Sequence, residues 1–427
     1  MMKKLYFLPL FLGLSLFILS FFKAYTFEEE GKMEKQQVSH QEHLKGEKFI
    51  LHSEGRRSPK FDERIKRAGE LMKEQGIEAL LLTKPANMFY LTGDGRLCAY
   101  ALVTFKGKMA LGVPSTDMKD VMAIAYFDEM AGFEDEVGML HSLHNFFEKF
   151  GLEKAKVGLE NTFLTVSMKS MLTHPHAMPE TAVAVDGTEV MSRVRMVKSR
   201  EEIEIIKQAA NVADQGMKAA VEAVKPGATE IEIAGAAEAA MRKADAEGFY
   251  RTYVASGPRT NIAHGLPSYR KIEDGDLVMI DLHPVYHGYC ADICRTVCAG
   301  KPTAKQKEAF DLFLKAQERT VGLVKAGVTM LDLEEALQGM MREAGHGEHI
   351  FGPPLHGVGI EFEEPPLPSG HAFFHGEKEA VPLEEGVVVS IGNCGLYLGD
   401  FGVRVEDTVL VTKEGPLVLS TFKRRLY

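Results

Sequence analysis

From Asp276 to Thr296 the chain reads DLVMIDLHPVYHGYCADICRT. Two acids, Asp281 and Asp292, sit in apolar, strand-like runs on either side of a turn bracketed by Pro284 and Gly288. A hairpin centred between Tyr286 and His287 sets Asp281 directly opposite Asp292, with Cβ atoms about 5 Å apart. Among Val278, Ile280, Leu282, Ile293 and Val297, two carboxylates that close cannot both stay ionised without a compensating cation. Either a divalent ion lies between them or they share one proton. A turn centred one residue away is the alternative, and it leaves the acids on unrelated faces.

The elements that must position these acids are legible around them. Ser199 with Glu202 forms a capping box at the head of a long helix that runs to Val224, and Thr229 with Glu232 starts another that ends at Gly248. The same grammar returns at Thr303 and at Thr329 with Asp332. Val224, Lys225, Gly227, Thr229, Ala236, Met241, Arg242 and Ala244 recur one hundred positions later as Val324, Lys325, Gly327, Thr329, Ala336, Met341, Arg342 and Ala344. Shared cap chemistry accounts for only part of that list, and the rest points to an internal duplication. Its second half sets Gly392 at the place of Asp281, counted from Gly386 and Gly275, and Glu406 in VRVEDTVLV at the place of Asp292. His264 and His356, each in a glycine-flanked loop, are the imidazoles placed to reach the same axis.

Ahead of this region, residues 59–190 alternate helical and strand-like periods in an α/β pattern with no phosphate-binding loop. Residues 31–58 are polar and read as a linker. In residues 1–30, Lys3 and Lys4 precede an apolar run from Leu5 to Phe22, the charge order of a signal peptide or signal anchor. Membrane contact is expected only through residues 5–22, with a cytoplasmic protein if Met33 is the true start. The five cysteines, an odd number, fit a reducing compartment better than a disulfide-bonded exported chain. A net charge of -10 without a basic block excludes nucleic acid as a partner.

DLVMIDLHPVYHGYCADICRT, LHGVGIEFEEPP and GVRVEDT resemble the three signature segments of the creatinase, prolidase and aminopeptidase P superfamily, and ALLLTKPANMFYLTG resembles its N-terminal domain. The resemblance implies a mixed α/β fold, with a creatinase-type N-terminal domain over 59–190 and a pita-bread domain with a pseudo-twofold over 191–427. It implies a homodimer and hydrolysis of a peptide bond next to proline by metal-activated water. The substrate would be a small peptide or amino-acid derivative. The metal ligands carried over are Asp281, Asp292, His356 and Glu406, with His264 binding substrate, Arg404 bracing the carboxylates, and Glu364 or Glu406 handling a proton.

Two departures bear on activity. A fourth carboxylate ligand of the family is replaced by Gly392, and a second histidine by Glu363, on the substrate side. About one divalent ion per chain is therefore expected rather than two, with manganese favoured by the oxygen ligands and zinc, cobalt or iron as alternatives. Cys290, Cys294 or Cys394 could offer a thiolate to a softer ion, against the simpler reading that they fill space. Restoring Gly392→Glu and Glu363→His together should raise metal occupancy and peptidase activity. A creatinase-like metal-free hydrolase using His264 as proton shuttle, and a non-catalytic binding module, are the other readings.

Overall fold

The computed structural model describes residues 50–51, 59–367 and 382–426. Residues 1–30 and nearly all of 31–58 lie outside that range, as does the apolar run Leu5 to Phe22. Among the described residues, no helix is long and apolar enough to cross a membrane. Ile50 and Leu51, expected within the linker, instead form a strand, β1 (Ile50–Leu51), on the edge of the first sheet.

That sheet is built from β1, β2 (Ala79–Leu82), β3 (Tyr100–Thr104), β4 (Met109–Pro114), β5 (Glu129–Phe133), β6 (Lys156–Leu159) and β7 (Val183–Asp186), in the order β1-β5-β4-β3-β2-β6-β7. The central strands are buried along nearly their whole length, which is why they read as continuous apolar runs rather than alternating ones. Helix α1 (Pro59–Glu74) lays Ile65, Ala68, Leu71 and Met72 onto the sheet, and α2 (Pro85–Thr92) follows β2 directly. Helix α3 (Thr188–Met196) then leads away from β7 and ends just before the first capping box.

The second part repeats one plan. Helices α4 (Arg200–Ala223) and α5 (Glu230–Lys243) are matched by α6 (Ala304–Leu323) and α7 (Met330–Glu343), and all four carry capping boxes. The chain between Lys243 and Gly248, expected to remain helical, leaves α5 and enters β8 (Gly248–Ser256). β8 and β11 (Ile293–Cys298) flank β9 (Leu277–Tyr286), which continues through a tight turn into β10 (Tyr289–Cys290). The second half sheet is β12 (Leu355–Gly357), β13 (Val388–Ile391), β16 (Asp407–Val411) and β17 (Pro416–Val418), with β14 (Leu396–Tyr397) and β15 (Gly402–Val403) paired beside it.

The hairpin register corrects the sequence reading. Tyr286 pairs with Tyr289, and the loop residues His287 and Gly288 have φ of 47° and 77°. Two positive φ values define a type I′ turn, which needs glycine or a similarly tolerant residue at its centre. The centre therefore falls one residue later than expected, and Asp281 pairs with Cys294 instead of Asp292. Moving the centre by a whole residue shifts the pairing by two, so side chains keep their face. Asp281 and Asp292 remain on one face as diagonal neighbours, with His283 beside both.

Candidate metal centre

The two half sheets meet at a seam between β11 and β16. Cys294 and Glu406 exchange both backbone hydrogen bonds across it. On either side, a threonine hydroxyl replaces the next backbone pair. Thr408 Oγ1 accepts from Asp292 N–H at 2.9 Å and donates to its carbonyl at 2.8 Å. Thr296 Oγ1 does the same for Arg404, with both contacts at 2.9 Å. This arrangement makes Thr296 and Thr408 symmetry mates, and pairs Cys294 with Glu406 and Asp292 with Arg404. The expectation that Glu406 is the mate of Asp292 is therefore corrected. Behind the seam, Arg295 donates to the carbonyls of Cys294 and Glu406 and forms an ion pair with Asp407 at 2.6 Å, fixing the backbone that presents the acids.

On the front face, the structure gathers Asp281, His283, Asp292, His356, Arg404 and Glu406, all at least 97% buried. His356 stands on β12, paired with Ser390 of β13, and the Ser390 hydroxyl donates to Glu406 Oε1 at 2.8 Å. Arg404 forms an ion pair with Asp281 Oδ2, and its Nε lies 3.7 Å from Glu406 Oε2. Two groups of three have ligand atoms within 4.8 Å of one another: Asp281, His283 and Asp292, and Asp292, His356 and Glu406. Asp292 belongs to both. His283 stands outside the ligand set that the family resemblance implies, but its place two residues after Asp281 on a strand puts it on the same face and near the carboxylates.

The donor set fits a divalent ion. Asp281 Oδ1 and Asp292 Oδ1 are buried with no hydrogen-bond partner, a costly state unless something else meets them. His356 Nε2 is 3.4 Å from Asp292 Oδ2 and 3.7 Å from Glu406 Oε1. These gaps exceed a charge-assisted hydrogen bond of about 2.7–2.9 Å. They match two ligands sharing an ion at about 2.0–2.2 Å, which stand roughly 3.4 Å apart at a tetrahedral angle.

The charges inside the cluster are strongly coupled. Burial and the neighbouring Asp292 raise the Glu406 carboxyl to about 8. Burial works against a charge on His356, but Asp292 and Glu406 outweigh it and hold the ring at about 9. Burial likewise opposes a charge on His283, and Asp281 and Asp292 hold it at about 10. Against its own burial, Asp292 is kept well below the usual carboxylate range by His283 and His356.

His264 is exposed at the edge of the cluster, its ring 5.3 Å from that of Tyr253. Partial burial, and then Arg404, lower its pKa. Arg404 also reaches the carbonyl of Ala263, tying this loop to the acids. Glu363 is exposed too, and its charge is felt by both His264 and His356. Glu364, expected as a proton carrier, is instead committed elsewhere. Its Oε1 meets Lys198 at 3.0 Å, its Oε2 pairs with Arg195, and those cations hold it at about 2 against its burial. No cysteine joins either group of three among the described residues. The thiols of Cys290, Cys294 and Cys394 are buried, and burial raises all three, so they act as small apolar fillers. Cys294 packs with Met279 and Tyr397.

Gly392 occupies a backbone that its expected repair does not fit. Its φ is +121°, and a Cβ there would lie 1.9 Å from the carbonyl oxygen of Val405. A carboxylate cannot be restored by changing the side chain alone.

Fold and centre together define a pita-bread hydrolase with a carboxylate and histidine metal site behind a creatinase-type first domain. Residues 64–197 match the creatinase/prolidase N-terminal domain, and residues 204–413 match metallopeptidase family M24. The chain is 33% identical over 368 residues to the Xaa-Pro dipeptidase of Pyrococcus furiosus, covering 85% of this chain and 99% of that one. Among solved structures it resembles an Xaa-Pro dipeptidase from Bacillus anthracis, with a TM-score of 0.77 at 30% identity over 86% of this chain and 99% of that one. It also resembles an X-Pro aminopeptidase from Thermotoga maritima, with a TM-score of 0.73 at 29% identity over 85% and 99%. The chain belongs to metallopeptidase family M24, in its creatinase and prolidase branch.

Proposed function

We propose that the chain is an Xaa-Pro peptidase of the prolidase or aminopeptidase P type, working through an altered metal centre. The observation that carries this reading is Asp292, shared by two buried groups of three potential ligands in which Asp281 Oδ1 and Asp292 Oδ1 lack partners. A divalent ion held by Asp281, Asp292, His356 and Glu406 would supply an activated water and polarise the scissile carbonyl. The chain's own residues do the rest. Thr408 and Ser390 orient Asp292 and Glu406, Arg404 holds Asp281, and His264, kept neutral by its lowered pKa, faces the substrate together with Glu363. With Glu364 committed elsewhere, Glu406 is the carboxylate left to take a proton.

Charge balance supports one ion per chain. Asp281, Asp292 and Glu406 contribute three negative charges and Arg404 one positive, leaving two that a single divalent ion neutralises while His283 and His356 stay uncharged. The same count favours a second reading. Protonated His283 and His356 with Arg404 would balance the three acids without metal, as in a creatinase-like hydrolase. The family matches, ending at 197 and resuming at 204, support two domains, with the division some ten residues beyond the expected 190.

The test is hydrolysis of Xaa-Pro dipeptides and of longer Xaa-Pro peptides by purified protein before and after chelation. Cleavage that stops with the chelator and returns with metal is expected. Cleavage that survives complete metal removal selects the metal-free reading. A metal-loaded protein that cuts no Xaa-Pro peptide overturns the assignment.

A further inference from the structure

His283 is the residue of the cluster that the family's ligand set does not include. It lies on β9, 3% exposed, with its ring edge-on to Phe362 at 4.9 Å and to Tyr253 at 5.9 Å between centroids. Its Nδ1 is 3.1 Å from the carbonyl of Arg251 on β8. A carbonyl only accepts, so Nδ1 carries a proton, and with an ion in place the ring would be neutral and present the lone pair of Nε2 to it. That nitrogen faces Asp292 Oδ1 at 3.4 Å and Asp281 Oδ1 at 3.6 Å. Both oxygens are the buried atoms that have no hydrogen-bond partner. A metal-ligating histidine is typically held in this way, its second nitrogen donating to a backbone carbonyl that fixes ring and tautomer.

We propose that His283 is a metal ligand, supplying with Asp281 and Asp292 a nitrogen donor in compensation for the carboxylate absent at Gly392. The inference rests on the metallopeptidase reading and changes its chemistry. Imidazole favours zinc, cobalt or iron(II) over the manganese or magnesium suited to oxygen-only sites. The backbone at Gly392 leaves no room for a Cβ, so the compensation comes from the other half sheet.

Chelator-treated full chain is titrated with zinc and with manganese in competition with a chromophoric chelator. In His283→Ala, zinc affinity is expected to fall roughly 100-fold or more, because even the outer partners of a ligand are worth about 10–100-fold. Manganese affinity should fall less, so the preference for zinc shrinks. A second measurement does not need that variant to fold. Zinc X-ray absorption of His356→Ala at one equivalent should still show imidazole scattering, since His283 is the remaining histidine in either group of three. Unchanged zinc affinity in His283→Ala, or no imidazole around zinc in His356→Ala, overturns the proposal and leaves His283 as an internal counter-cation. A wild-type chain that binds neither metal overturns the metallopeptidase reading along with it.

Discussion

Two buried ionic clusters adjoin β12, one through His356 and the other through Glu364, which bridges to Gly357, and they differ in what is left over. Around Glu364, both carboxylate oxygens are engaged: Oε1 by Lys198, and Oε2 by Arg195 and the Glu361 amide. Arg195 continues to Asn87, and Asn87 to Glu160, while Lys84 pairs with Glu361, so the network ties the first domain to the second. Around Asp292, by contrast, two carboxylate oxygens, Asp281 Oδ1 and Asp292 Oδ1, are buried without a hydrogen-bond partner, while an unpaired arginine Nε, of Arg404 here and of Arg195 there, is common to both clusters. A network whose acids are all engaged rigidifies a fold, whereas acids left with bare oxygens at the same burial are held ready for something that is not protein. Both clusters contain perturbed carboxylates, so perturbation alone would not have separated the clamp from the site.

The comparison breaks first at Asp292. Asp292→Ala should abolish metal retention and lower kcat/KM on Xaa-Pro substrates by roughly 1000-fold or more, as loss of one preorganised group already costs about 100–1000-fold. Elemental analysis and steady-state kinetics check this, and denaturant melts should show a fold that is kept. Glu364→Gln should do the reverse. It strands Arg195 and Lys198, costing about 3–5 kcal/mol in urea unfolding, while metal content stays at the wild-type value. Gly392→Glu, which the sequence recommends as a repair, should lose roughly 2–3 kcal/mol through backbone strain and crowding. It should gain no metal, and a gain by elemental analysis would sink the steric account.

Acid sharpens the contrast further. The folded Glu364 carboxyl, at about 2, lies below its ordinary 4.5. Its contribution is therefore complete above pH 4.5 and is lost as pH falls toward 2, an amount of roughly 3 kcal/mol. Unfolding free energy measured across that window should fall steeply in wild type and less so in Glu364→Gln. The smallest effect is at sulfur. Alkylation of Cys290, Cys294 and Cys394 should be the same with and without bound metal, and metal-dependent protection of any of them would make it a ligand after all.

Local chemistry made much of this legible. Capping boxes at Ser199, Thr229, Thr303 and Thr329 marked four helices whose observed starts agree, because each cap is settled within three residues. The residues expected as ligands, Asp281, Asp292, His356 and Glu406, all fall in the two buried groups of three that share Asp292. The turn was misplaced for a readable reason: a two-residue loop needs positive φ at both centres, and His287-Gly288 meets that where Tyr286-His287 does not. β8 was overlooked although Phe249, Tyr250, Thr252, Tyr253 and Val254 favour strands. The commitment of Glu364 was not legible in one sequence, since its partners Arg195 and Lys198 lie far back in the chain and neither announces a direction.

The seam at Cys294 and Glu406 also bears on how the molecule comes apart. Asp292 and Thr408 are 116 residues apart in the chain, so the hydroxyl bridges exist only where the two half sheets are in contact. Neither half alone contains the centre. An ion seated there acts as a cross-link between two independently built sheets, binding the native chain and not the unfolded one. Amide hydrogen exchange at Asp292 and Arg404, whose N–H groups rest on a rotatable hydroxyl, then becomes a clock for separation of the halves, and metal should slow it.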